Sequence, residues 1–120
     1  MLEIGSAYGF FLNIARQNGW QVSGIEMIEE AAAYSKKHFG IKPFFGNLER
    51  YPSRNQKFDV IVLFDVLEHF HDPTKALEVI NSMLNSDGSV VLALPNSSRW
   101  VLKLLGNRWE DLQRAKSNEH

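Results

Sequence analysis

Short apolar runs and stretches of helical period take turns along the chain. Residues 1–4 are apolar enough for a short strand, and Phe10, Phe11, Ile14 and Ala15 then make a helical stripe that Gly19 ends. The run WQVSGIE (20–26) predicts a second strand. Residues 27–39 carry apolar positions at Ile28, Ala32 and Phe39, and Gly40 closes that helix. IKPFF (41–45) predicts a third strand, which Pro43 assigns to a sheet edge, and the polar residues from Gly46 to Lys57 form a loop. FDVIVLF (58–64) is nearly continuous and β-branched, as in a strand buried on both faces. Asp72-Pro73 starts a helix, the acid as cap and the proline in the first turn, with Ala76, Leu77, Ile80 and Leu84 as its apolar face. DGSVVLAL (87–94) reads as a turn and a fifth strand. SSRWVLKLLG (97–106) reads as a short amphipathic helix, and a polar tail follows.

Strands alternating with helices of this length predict right-handed βαβ units around a parallel sheet. A chain of 120 residues makes one domain, 44% hydrophobic and 22% charged, as ordinary globular proteins are. Thirteen basic and 14 acidic residues leave a net charge of −1, so no global field favours nucleic acid or anionic lipid. Cysteine is absent, which excludes disulfides, thiolate zinc sites and a cysteine nucleophile and suits a cytoplasmic location. No basic leader is visible, and no apolar stretch approaches the ~20 residues of a membrane span.

In such a sheet, ligands bind outside the carboxyl ends of the strands at the topological switch point. The stretch from Gly5 to Gly9 is the first strand-to-helix turn, which is that place. A P-loop needs Lys-Ser/Thr after its last glycine, where this chain has Phe10-Phe11. The dinucleotide fingerprint needs glycines at 5, 7 and 10, where the chain has Gly5, Ala7 and Phe10. What remains is acid-x-Gly-x-small-x-Gly: Glu3, Gly5, Ala7, Gly9. Either a tight turn without ligand or a cofactor cradle carries that spacing. Glu26 ends the second strand 21 positions after Gly5, near the ~20-residue offset at which a carboxylate reaches ribose hydroxyls; a solvated loop acid is its other reading.

Glu3 to Gly9 resembles motif I of the class I S-adenosylmethionine-dependent methyltransferases. FDVIVLFDVLEHFHDP (58–73) is similar to that family's fourth strand and the segment after it, and LNSDGSVVLALPN (84–96) to its fifth strand. GNLE (46–49) falls where the family places an acid against the adenine amino group; Asn47 offers an amide oxygen there, or is a turn former. The small-molecule branch that includes the ubiquinone-biosynthesis O-methyltransferases is the most similar. The resemblance implies a Rossmann-like three-layer αβα sandwich with about five mainly parallel strands in the order 3-2-1-4-5. It implies S-adenosylmethionine as cofactor and methyl transfer to a small-molecule acceptor, with O-methylation favoured. Its cofactor-binding positions fall on Glu3, Gly5, Ala7, Tyr8, Gly9, Glu26, Met27, Asn47, Leu48 and Asp65. In that frame the glycines bring the backbone close to the methionine and ribose moieties. His69, just beyond the fourth strand, is either a general base for the acceptor or a histidine bonded to backbone.

DVLEHFH (65–71) also invites a metal reading, since on a helix Asp65 would share a face with Glu68 or His69. It resembles part of the magnesium site of small-RNA 2′-O-methyltransferases, but Asp replaces the first Glu and no distant His completes it, so the expectation is no metal. Trp100 and Trp109 stand where the family builds its acceptor pocket, or simply pack helices. Residues 1–96 are expected to be the cofactor-binding core and 97–120 a helix and tail of the same domain. Against the family both ends look cut: helices before strand one and strands six and seven are missing. A second function class follows, a non-catalytic cofactor-binding remnant acting through a partner. The expected partners are a methyl acceptor and a second copy of the chain, joined through the strand-five edge or an exchanged C-terminal segment, with neither nucleic acid nor membrane.

Overall fold

The structure, a computed structural model, describes residues 1–94. The helix expected at 97–106, Trp100, Trp109 and the polar tail lie outside the described residues. Eight main elements follow one another: β1 (Leu2–Ile4), α1 (Phe10–Gln17), β2 (Ser23–Glu26), α2 (Glu29–Phe39), β3 (Phe44–Phe45), β4 (Phe58–Phe64), α3 (Pro73–Ser82) and β5 (Leu84–Ala93). The strands form one parallel sheet, as the alternation of elements predicts, in the order β3-β2-β1-β4-β5 that the resemblance implies.

The chain winds outward from β1 in both directions, so right-handed crossovers put α1 and α2 on one face and α3 on the other. Period-two alternation then divides the side chains. Leu2, Ile4, Ile61 and Leu63 join Leu67, Ala76, Ile80 and Met83 in the main core, on the α3 side. Glu3, Gly24 and Val62, which stand in register, turn to the α1 side.

The helix ends follow their local chemistry. Trp20 N–H reaches the Ala15 carbonyl and Gly19 N–H that of Arg16, around Gly19 at φ 92°. This glycine-closed cap holds residues 18–20, so β2 begins at Ser23 rather than at Trp20. Asp72 Oδ1 accepts the Lys75 amide at 3.1 Å, with Pro73 in the first turn, as expected for α3.

Four expectations need correction. The buried positions of α2 are Ala31 and Ser35, whereas Ile28 is exposed; it precedes the first turn, and Ser35 is admitted because its hydroxyl donates to the Ile41 carbonyl at 2.7 Å. That bond commits residue 41 to closing α2, and Pro43 offers no amide, so β3 shrinks to Phe44–Phe45. Leu84 belongs to β5, whose pairing with β4 jumps from Phe58↔Leu84 to Val60↔Ser89 across a bulge. The segment after β4 is no α-helix: Asp65 sits at φ 55° and only Leu67–His69 coil into a 3-10 turn.

Candidate functional site

The carboxyl ends of β1, β2, β3 and β4 gather around the turn between β1 and α1, where the sheet changes winding direction. Three residues of that turn are left-handed: Gly5 at φ 76°, Ala7 at φ 50° and Gly9 at φ 86°. The Gly5 and Ser6 amides both donate to the Ile25 carbonyl, at 2.8 and 3.0 Å, and Gly9 N–H closes onto Ser6 at 3.0 Å.

Glu26 finishes the construction. Its Oε1 accepts the Ala7 amide at 2.9 Å and its Oε2 the Ile28 amide at 2.8 Å, with the side chain buried. One carboxylate therefore holds two strand-to-helix turns. It is no solvated loop acid, and each oxygen keeps a second lone pair. The glycines make room for protein: a Cβ at Gly5 would lie 2.5 Å from Val66 Cγ2, and one at Gly9 2.3 Å from Ser35 Oγ. Left-handed backbone and close packing against protein both call for glycine at these two positions.

Glu3 lies under this turn, only 4% exposed, and its Oε1 has no hydrogen-bond partner; neither has the buried Ser6 hydroxyl. Burial first, and then the Glu26 charge, push the Glu3 carboxyl up to about 7. Gly46 N–H donates to the Glu26 carbonyl at 3.0 Å, which brings the segment after β3 to the same edge. Asn47 Oδ1 accepts the Arg50 amide at 3.0 Å, so the turn-forming reading describes its present bond, with a lone pair to spare. The Leu48 side chain is in the core, which leaves only its main chain for any ligand. Met27 and Tyr8 are exposed on the rim, and Tyr8 packs edge-on against Tyr34 at 5.2 Å.

Asp65 is exposed at the end of β4, where its amide donates to Ala93 at 2.8 Å. His69 is largely exposed and stands 3.7 Å from Glu68 Oε1. With no α-helix there, the shared face on which the metal reading depended does not form. Among the described residues no three histidine or acidic side chains come within reach of one ion.

Sequence reasoning passed over Ser6, Gly24, Ser35 and Val66. Gly24 is the one a pattern could have shown, as a glycine inside a strand. A Cβ there would meet Leu12 at 2.8 Å and Ser6 Oγ at 2.9 Å, so its bareness lets α1 and the turn settle onto the sheet. Two clefts lie elsewhere. One of about 530 Å³ is at the amino ends of β2 and β3, between Arg16, Lys42 and Tyr51. The other, about 330 Å³ and mostly apolar, lies between α1 and β4–β5.

Known proteins share this fold. The ubiquinone biosynthesis O-methyltransferase of Haemophilus ducreyi is 26% identical over 118 residues, covering 88% of this chain and 50% of that protein. That of Marinobacter nauticus is 27% identical over 103 residues, covering 79% and 43%. The chain spans about half the length of the curated relatives it matches. Among solved structures, a TehB-like SAM-dependent methyltransferase from Corynebacterium glutamicum superposes with a TM-score of 0.73 at 22% identity, covering 86% of this chain and 60% of that one. The plantazolicin methyltransferase BpumL, solved in complex with SAH, gives 0.70 at 26% identity, covering 86% and 42%. The family described as a methyltransferase domain matches residues 1–120. That match takes in every strand, helix and turn from which the site is built, and the chain belongs to the methyltransferase-domain family.

Proposed function

We propose that this chain binds S-adenosylmethionine across the Gly5–Gly9 turn and supplies the cofactor-binding half of an enzyme that methylates a small molecule, with an oxygen nucleophile favoured. The observation that carries this reading is the buried Glu26 carboxylate, clamped between the Ala7 and Ile28 amides at the switch point of a methyltransferase-family sheet. The curated relatives, named as O-methyltransferases, support the choice of oxygen.

The donor set suits such a cofactor. Glu26 has a spare lone pair on each oxygen for a pair of vicinal hydroxyls. Asn47 has an amide group for the adenine amino edge, and Met27 and Tyr8 offer exposed apolar surface beside it. Two unpartnered buried oxygens, on Glu3 and Ser6, lie under the turn where the positive methionine end would rest. When bound, the sulfonium supplies an activated methyl group, so what is asked of the protein is mainly alignment with the acceptor. Asp65 and His69 stand at the neighbouring edge, His69 as the base where an acceptor hydroxyl must lose its proton.

Calorimetric titration with S-adenosylmethionine tests the reading. Glu26→Ala should weaken binding by about 1.5–3 kcal/mol, the range for hydrogen bonds to a charged group. An unchanged Kd in a variant that keeps its helical circular dichroism moves the site elsewhere. Methyl transfer to any acceptor separates an enzyme from a remnant that only holds cofactor.

We further propose that two copies associate through β5. Among the described residues β5 is an edge strand, and residues 89–94 carry no lysine, proline or inward charge to discourage pairing. Size exclusion coupled to light scattering should return a dimer. A monomer at all concentrations, with slow amide exchange along β5, would mean that the edge is capped within the chain. No helix among the described residues is long and apolar enough to cross a membrane, and we place this cysteine-free chain in the reducing cytoplasm.

A further inference from the structure

The larger of the two clefts lies at the end of the sheet away from the glycine turn. Its walls come from the foot of α1, the amino end of β2, the closure of α2 and β3. Arg16 and Lys42 both line it, and no aspartate or glutamate does. Arg16 is anchored. Its Nη2 donates to the Asn13 side-chain oxygen at 3.1 Å and to the Phe39 carbonyl at 2.8 Å. Both acceptors are neutral, so the guanidinium keeps its whole charge, and Nε and Nη1 keep three N–H donors. Lys42 is exposed, and among the described residues no ion pair or hydrogen bond engages its ammonium.

Two helices end at this cleft, and a helix C-terminus by itself repels an anion. Here several of the last carbonyls are covered. Those of Ala15 and Arg16 accept amides in the α1 cap, and those of Ser35 and Lys36 accept the Ile41 and Gly40 amides. The Phe39 carbonyl accepts Arg16 itself. What the cleft presents is therefore positive charge, and beside it flat apolar surface. Phe44 and Tyr51 pack edge-on with centroids 5.6 Å apart, and both rest against the main core. The Trp20 side chain is 44% exposed, although its amide is fixed by the α1 cap.

Cations without acids, set among aromatic rings, describe a ligand that joins a negative charge to a flat ring. A volume of about 530 Å³ is of the size that small-molecule sites have. We propose that this cleft binds a small aromatic carboxylate, its ring against Trp20 and Tyr51 and its charge between Arg16 and Lys42. The site is separate from the one proposed for the cofactor. Ser23, which lines the cleft, opens β2, whereas Glu26 closes that strand at the glycine turn. An occupant of the cleft leaves the turn free.

Naphthoate, titrated into the nitrogen-15-labelled chain, is the probe. The Trp20, Ser23 and Lys42 amides should shift together and saturate. Naphthamide keeps the ring without the charge and acetate the charge without the ring, so each should bind about tenfold more weakly. Lys42→Met keeps the aliphatic stem, removes the charge and should weaken naphthoate about fivefold. Added salt should weaken binding to wild type and affect the variant less. Equal affinity for naphthoate and naphthamide, or an unchanged Kd in Lys42→Met, would overturn the inference. Shifts centred on Phe11 and Val91, which line the apolar cleft instead, would overturn it too. Displacement of naphthoate by S-adenosylmethionine would also sink it, by placing the probe at the turn. Naphthoate binding that S-adenosylmethionine leaves undisturbed supports it, whether or not the cofactor reading stands. An absence of saturable shifts at Trp20 and Lys42 rejects it outright.

Discussion

Gly9→Ala should lower stability by about 3–4 kcal/mol, whereas Gly19→Ala should lower it by only about 1 kcal/mol. Both glycines are left-handed, at φ 86° and 92°, so each alanine meets the same backbone penalty of roughly 1–2 kcal/mol. They differ in what surrounds the added carbon. Nothing lies within 4 Å at Gly19, while at Gly9 the carbon would be 2.3 Å from Ser35 Oγ, 2.9 Å from Ser35 Cβ and 3.4 Å from Ser35 Cα. The hydroxyl cannot swing away freely, because it donates to the Ile41 carbonyl. Either that buried bond breaks, at about 1 kcal/mol or more, or α2 moves off the turn. Urea unfolding of the two variants side by side separates crowding from strain. Equal losses would show that α2 yields without resistance.

Glu3→Gln should change stability in a way that depends on pH. The folded carboxyl is raised from 4.5 to about 7, so the folded state holds its proton more tightly than the unfolded chain does. Its favourable contribution is complete below about pH 4.5 and is lost as pH rises through 7. Glutamine has no such dependence. The variant should therefore gain on wild type across that window and be more stable by about 2–3 kcal/mol at pH 8, with little gain at pH 4.5. Thermal melts at several pH values measure it. A pH-independent difference would mean that Glu3 titrates like an ordinary surface acid.

The parts of this fold that periodicity dictates were legible in the residues. β4 announces itself because both of its faces are buried, and α3 because an acid and a proline mark its start. β2 and β3 were read too long, since Val22 and Ile41 look like strand residues wherever they stand. Gly19 was legible as the end of α1, but nothing local reveals that its cap also holds Trp20, or that Ser35 claims residue 41 for the end of α2. The turn itself was legible as a motif, but its packing was not. Spacing says that glycines recur at 5 and 9; only the fold shows that Val66 and Ser35, 61 and 26 residues further on, occupy the space a side chain would need. Glu26 was found by its offset from Gly5. Its amide partners could not be, because they depend on Ala7 being left-handed, a conformation the residue type argues against.

The double grip of Glu26 makes two βα turns into one joint. The first turn leads into α1 and the second into α2, and the Ala7 and Ile28 amides are 21 residues apart in the chain yet bound to the same carboxylate. Neither turn can open without loosening the other, since a carboxylate that swings out releases both amides together. From Ile28 the linkage runs along α2 to Ser35, which abuts Gly9 at the foot of α1 and so returns to the turn where it began. The ring is closed. A disturbance at any point on it is shared by all the others, and this corner of the molecule must flex as a single hinge or remain still.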